Sequence, residues 1–495
     1  MSNIKNFKKN LAVKLILGFI CMLSFFIPIN IAYSEDSTPN IRVLLAKGIV
    51  SATFHVTDGE YRLIDGSNGL TIGNPTGNEK WLITVTGKSF AITKDGENLG
   101  SYIGPILLKP SAEGFSTFSY GNVRYRNMLS FESNAGTLLA INTVDIEKYL
   151  YGVVGKEIGY GVSEEALKAQ AVVSRSFALS SKGGNLKYDV TNDTSSQVYA
   201  GYSAEIIPNA EKVKKAIDAT AGEVIYYYDV DKKITRLVKA YFHANSGGYT
   251  EDSENVWSEY LPYIRAVASP FDKKALTYSP QSGGWPASTY QWEKVFTKEE
   301  LQKQIEKWNN VALSRKQSYN IIDVGDFLGV YAFNYKQDGI TSTDSKRATR
   351  LDIVGTKGTK SFFKDAIRSV FDLKSTKFSV STGSAGSALY VIGINGDSAQ
   401  TRSTESLHIA SDIKDTLYNP IENGVLHIIG QNEVTTQQQD ISTVTFNGYG
   451  YGHGLGMSQW GARGMADAGY NYKEIIEHYY NQDNKDGRLT ISKNY

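Results

Sequence analysis

Between residues 41 and 145, apolar and polar positions alternate with a period of two, in IRVLL (41–45) and in WLITVT (81–86). That is the pattern of strands with one buried face. The turn pairs Asp58-Gly59, Asp65-Gly66, Asn68-Gly69 and Asp95-Gly96 punctuate the stretch, and such dipeptides suit tight hairpins. From about residue 146 the period changes. IEKYLYGVVGKEIG (146–159) is apolar at helical spacing. Ser163 then opens SEEALKAQAVVSRSFALSS, with two acids in its first turn and a stop at Gly183-Gly184, which predicts a second helix. A third starts at Asn209 and runs through NAEKVKKAIDATAG, with Val213, Ala216 and Ile217 on one face and Gly222 as its stop.

Beyond this point strand and helix signals are mixed. VIYYY (224–228), LVKAYFHAN (237–245), RLDIVG (350–355), ALYVIGIN (388–395) and GVLHIIG (424–430) read as strands. Thr297 and Glu300 form a capping box ahead of LQKQIEKW. SFFKDAIRSVFDL (361–373) reads as a helix with Phe363, Ile367, Val370 and Phe371 inward. SQWGARGMADAG (458–469) and YKEIIEHYY (472–480) read as short helices. Without a regular βαβ rhythm, the expected fold class is α+β. A β-rich region over 41–138 precedes a helix-and-strand domain over 139–480.

Composition narrows the chemistry. Lys+Arg is 52 and Asp+Glu 51 in 495 residues, a net charge of +1, which leaves no electrostatic footprint for nucleic acid. The single cysteine, Cys21, rules out a disulfide framework and cysteine-based metal ligation beyond the N-terminus. Residues 1–14 carry Lys5, Lys8, Lys9 and Lys14 and no acid, and residues 15–34 are uncharged. A basic start before an apolar stretch reads as an export signal cut before Glu35, or as an uncleaved anchor over 15–34. The expected location is therefore the cell envelope or the exterior, with membrane contact only through that segment.

Three segments invite a chemical reading. In NGYGYGHGLGMSQWG (447–461) glycines fall at 448, 450, 452, 454 and 456, a phase that fits neither GxGxxG nor a P-loop. Alternate glycines permit an irregular backbone that another group can approach closely. His453 sits in this loop, and Ser458 and Gln459 lie where a helix begins. It reads either as a cleft floor or as a structural corner whose His453 bonds the backbone. HANSGG (243–248) pairs a histidine with Ser246 without the GxSxG elbow of a hydrolase. Glu157 lies among apolar residues and glycines apart from Lys156. Buried there, its carboxyl would have a raised pKa and could donate a proton near neutrality; otherwise it caps a helix or pairs with a lysine. Gln170 and Arg175 share the helix 163–181, facing either a cleft or an ion-pair partner.

In order along the chain, IEKYLYGVVGKEI…EALKAQAVVSRSFAL, YDVTNDTSSQVYAGY, HANSGGYTEDSENVW and YGHGLGMSQWGARGMADAGYNYKEIIEHYY resemble the motifs of the SpoIID/LytB family (stage II sporulation protein D and amidase enhancer). The resemblance runs from about residue 139 to residue 480 and implies extracytoplasmic work on peptidoglycan glycan strands. Some members are lytic transglycosylases of peptide-free glycan, and others are enhancers of a cell-wall amidase. The resemblance makes Glu157 the catalytic acid and base of a transglycosylase, with Arg175, Gln170, Tyr199, Ser246, His453, Ser458 and Gln459 as saccharide-binding residues. The other reading is a non-catalytic glycan-binding partner of an amidase or another wall hydrolase. Zinc-binding members carry cysteines before Q-V-Y, whereas this chain has Thr191, Asn192, Asp193, Thr194, Ser195 and Ser196 there; neither a metal nor another cofactor is expected.

Overall fold

Alternation in the N-terminal region builds two sheets, antiparallel except where the short strand Val190–Thr191 joins the first in parallel. The first orders its strands Val190–Thr191, Asn40–Ile49, Thr137–Asp145, Met128–Asn134, Ile106–Pro110, Tyr61–Asp65 and Leu70–Gly73. The second orders Val123–Arg126, Thr117–Tyr120, Ser51–Asp58, Trp81–Thr86, Ser89–Lys94 and Glu97–Tyr102. Trp81, Ile83 and Val85 are buried on one face of their strand, as are Tyr61 and Leu63 on theirs. Aromatic rings join the two sheets, Phe54 lying 5.9 Å from Phe131 and Tyr61 6.4 Å from Phe118. The structure is a computed structural model that describes residues 38–77, 79–277, 289–384 and 441–494, with short strand segments between 389 and 438.

The strand Thr137–Asp145 pairs with Asn40–Ile49 from Leu138 to Asp145, so the boundary expected at 138/139 falls inside a strand. Residues 40–494 form one compact unit. Asp145 then caps helix α1 (Ile146–Ile158), accepting from the N–H groups of Glu147 at 2.9 Å and Lys148 at 3.1 Å. Gly159, at φ 96°, ends the helix, and its positive φ is where a glycine is needed. Helix α2 (Glu164–Ser181) follows and α3 (Ala210–Ala219) packs on both. The faces predicted for them are buried: Tyr149, Leu150, Val153 and Val154 on α1, and Val213, Ala216 and Ile217 on α3.

A second core lies C-terminal to these helices. Phe296, Leu351, Ile353, Ile367, Val370, Phe371 and Phe446 fill it, covered by the helix Lys298–Ser314 with the predicted Thr297/Glu300 capping box. Here two expectations are corrected. Residues 361–373 are not one helix: the strand Gly358–Phe363 pairs with Arg350–Gly355, and only Ala366–Val370 is helical. Phe362 is buried while Phe363 is 56% exposed, the in–out alternation of a strand. Segment 237–245 holds only Phe242–His243 as a strand after Ile234–Leu237, and that strand pairs in parallel with Met457–Ser458. Of the strands expected at 388–395 and 424–430, Leu389–Val391 and Val425–Ile429 are strands, the latter paired with Val434–Gln438, and the other residues lie outside the described ones. Strand Ile441–Tyr449, paired on both sides, runs directly into the Gly-rich loop.

Among the described residues, no helix is long and apolar enough to cross a membrane.

Candidate active site

Glu157 occupies the last turn of α1 and is buried to 8% exposure. Its Oε1 accepts the backbone N–H of Val198 at 2.6 Å. Gln459 brings its amide to the other oxygen, Nε2 lying 3.3 Å from Oε2, 3.1 Å from the Glu157 carbonyl and 3.3 Å from Gln170 Oε1. Gln170 in turn donates to Ser174 Oγ at 2.9 Å. Three distant segments therefore meet on one carboxyl. Desolvation is the larger influence and favours the neutral acid; the bonds from Val198 and Gln459 favour the anion and offset part of it. The result is a pKa pushed up to about 7. Such a group gives and takes a proton near neutral pH with little driving force either way.

The Gly-rich loop takes the irregular course its glycines allow. Gly450, Gly452, Gly454 and Gly456 all have positive φ, between 65° and 106°. A Cβ on Gly456 would stand 2.1 Å from the Tyr241 carbonyl, and one on Gly454 2.6 Å from the Arg347 guanidinium. Arg347 is fully buried, donates to the Ser246 carbonyl at 2.8 Å and thus braces the loop from below.

His453 accepts the Leu455 N–H at Nδ1, 3.0 Å away, and lies between the rings of Trp257 (5.0 Å) and His243 (5.5 Å). His243 Nδ1 lies 3.1 Å from the Leu455 carbonyl, which it faces as a donor. Burial holds both rings neutral, lowering His453 to about 4 and His243 well below its ordinary value.

Several expected saccharide contacts lie elsewhere. Arg175 was expected in the cleft, but it is fully buried and bound in a two-point ion pair to Glu147 at 2.8 and 2.6 Å, with a further bond to the Glu223 carbonyl. Its place on the inner face of α2 makes it a tie between α1, α2 and the strand Glu223–Asp229. Tyr199 cannot present a ring to a sugar: it is buried, bonded to Asn142 Oδ1 at 2.8 Å and packed on Tyr149 and Tyr125. Ser246 and Ser458 both turn their hydroxyls onto Asp272, at 2.7 and 2.5 Å, and all three are buried. This knot joins the HANSGG turn to the start of helix Gln459–Asp467 and so positions Gln459. Gln170 touches Gln459 and acts on Glu157 through it.

Sequence reasoning missed Asp272, Arg347, Trp257 and the Val198 N–H. Asp272 and Arg347 lie in stretches with no motif, Trp257 stands unmarked at the end of HANSGGYTEDSENVW, and a backbone donor leaves no signature. The stretch 191–196 offers hydroxyls, an amide and Asp193, whose carboxylate already accepts from Thr191 and Ser195; these donors do not fit a zinc site. Among the described residues, no group of three or more His, Cys, Asp or Glu side chains clusters as metal ligands.

Comparison with known proteins shows what the chain is similar to. Residues 134–227 match the family model described as "Stage II sporulation protein", a span that contains Glu157 and Val198. The chain is 30% identical over 392 residues to the amidase enhancer of Bacillus subtilis (strain 168), covering 78% of this chain and 47% of that protein. It is 28% identical over 373 residues to an uncharacterised protein of Brachyspira hyodysenteriae, covering 74% of this chain and 73% of that one. Over 152 residues it is 30% identical to stage II sporulation protein D of Bacillus amyloliquefaciens, 28% of this chain and 42% of the other. The chain thus spans about half the length of the amidase enhancer.

Proposed function

Since this chain belongs to the SpoIID/LytB family of stage II sporulation proteins D and amidase enhancers, we propose that it acts outside the cytoplasm on peptidoglycan, as a lytic transglycosylase of peptide-free glycan strands. The observation that carries this reading is Glu157, a buried carboxyl with a pKa of about 7 on which no neighbouring carboxylate acts. The protonated acid gives its proton to the glycosidic oxygen between MurNAc and GlcNAc, and that bond breaks as positive charge develops at MurNAc C1. The carboxylate left behind takes the proton of the MurNAc C6 hydroxyl, whose oxygen bonds to C1. The products are a 1,6-anhydro end and a free GlcNAc hydroxyl, and Glu157 is again protonated. An attacking group within the substrate removes the need for the second carboxylate of ordinary glycosidases.

The Glu157 oxygens divide the work. Oε1 is anchored by the short Val198 bond, whereas Oε2 meets only the longer Gln459 contact, so Oε2 is the oxygen that carries the travelling proton. Gln459 accommodates both states, since its amide can bond the anion or rest on Gln170 and the Glu157 carbonyl.

A second reading, a glycan-holding partner of a cell-wall amidase, is favoured by one observation: the alignment with the amidase enhancer covers 78% of this chain, that with stage II sporulation protein D 28%. Incubation with peptide-free glycan followed by mass spectrometry separates the two. Anhydro-ended fragments from the natural protein and none from Glu157→Gln support the transglycosylase. No fragments, together with a rise in amidase turnover on mixing, support the enhancer.

A further inference from the structure

A cavity of about 420 Å³, lined by Ser196 two residues before the Val198 that holds Glu157, is left unexplained by the assigned residues. Trp257, Tyr241 and Phe177 form its apolar wall, Trp257 and Tyr241 with ring centroids 4.5 Å apart. Ser196 and Asp189 stand in its polar wall, and Lys239 lines it as well. The volume falls within the range of small-molecule sites, which pair apolar walls with a few polar groups. Two stretches of chain tie the cavity to the acid. Ser196 lines it, and Val198 holds Glu157; two residues span at most about 7 Å. His453 meets Trp257, and farther along the same loop Gln459 reaches Glu157.

Charge narrows the occupant. Lys239 takes part in none of the ion pairs among the described residues; its ammonium stands 5.5 Å from the Tyr241 ring. Asp189 does not compete for it, being bound to Arg42 at 2.8 Å and to the Gly183 N–H. Glu259, whose charge reaches Tyr241, is exposed and screened by solvent. The cavity thus offers aromatic faces, hydroxyls and one cation with no anionic partner. That combination suits an acidic sugar. MurNAc carries a lactyl group whose carboxyl is a free anion on a peptide-free strand and an amide when a stem peptide is attached.

Resting on the reading of the site as glycan-binding, we infer that this cavity holds a MurNAc residue next to the bond at Glu157, its ring against Trp257 and its lactyl carboxylate on Lys239, so that Lys239 selects peptide-free strands.

The test is calorimetric titration of the Glu157→Gln protein, which prevents turnover, with a GlcNAc–MurNAc tetrasaccharide in two forms: free lactyl acid and lactyl methylamide. The acid binds about tenfold tighter than the amide, the step expected of one charge-assisted hydrogen bond. Adding Lys239→Met reduces that ratio to about one, and Lys239→Arg restores most of it. Trp257→Ala weakens both forms alike. A ratio near one before Lys239 is changed, or one that survives Lys239→Met, overturns the assignment of Lys239 and leaves the glycan reading standing. Failure of both forms to bind overturns the glycan reading itself.

Discussion

At Glu157, desolvation and hydrogen bonding pull in opposite directions, and the balance has a measurable cost. The folded pKa of about 7 lies above the ordinary 4.5. The unfolded chain therefore loses this proton first as pH rises. Any stability tied to the proton is fully present below pH 4.5 and is lost as pH rises to about 7. The loss amounts to about 3 kcal/mol as an upper bound. Glu157→Gln, which cannot ionise, should match the natural protein in urea unfolding at pH 4 and exceed it by up to that amount at pH 8. Equal stability at both pH values would show a carboxyl with an ordinary pKa. This carboxyl was legible as a candidate because its sequence neighbours are apolar. Its two donors were not, because Val198 acts through its backbone and Gln459 arrives from the far end of the chain.

Periodicity identified the elements around the site well where one face is buried against a single core. α2 and α3 begin and end close to the residues their caps and glycines mark, Ser163 and Gly183 for the one and Asn209 and Gly222 for the other. It misled at 361–373, where Phe362 and Phe363 alternate across a strand and only the next five-residue helix has the predicted inner face.

Arg175 shows the same limit in function. A helix residue at the right place in a motif looks alike whether it faces a ligand or a buried acid. Since removing one partner strands the other as an uncompensated charge, Arg175→Met should destabilise the fold by about 3–5 kcal/mol. Arg175→Lys should recover part, having lost the two-point geometry. Unfolding midpoints check this; a rise in KM at unchanged stability would instead place Arg175 in the cleft. In the loop, Gly456→Ala meets both a positive φ and the Tyr241 carbonyl at 2.1 Å. It should cost about 2 kcal/mol or more by the same measurement, while a neutral result would mean that the loop moves freely.

Taken as a whole, the site is a long-range construction. Glu157 comes from the end of α1, Val198 from the loop after α2, and Gln459 from the start of helix Gln459–Asp467. Its Ser458 neighbour is fixed by Asp272 and Ser246, and the loop between is braced by Arg347. No local pattern could announce these pairings, since the partners lie 26 to 302 residues apart along the chain. Two histidines, His243 buried and His453 half-buried, set part of the molecule's pH range. His453 has a folded pKa of about 4, below the ordinary 6.5. Its contribution is therefore fully present above pH 6.5 and is lost as pH falls through about 4, to the extent of about 3 kcal/mol. His453→Asn should flatten the acid limb of the stability profile in urea unfolding between pH 6.5 and 4; an unchanged slope would mean that the ring is already solvated.

The proposed reaction needs one proton at one carboxyl, and isotope-edited infrared spectroscopy with labelled glutamate reads it directly. The difference between the natural protein and Glu157→Gln should contain a protonated carboxyl band at pH 6 that fades with a midpoint near pH 7 and is gone by pH 9. A band that disappears with a midpoint near 4.5 would contradict the account, because Glu157 would then be an ordinary anion at the pH where the acid is needed.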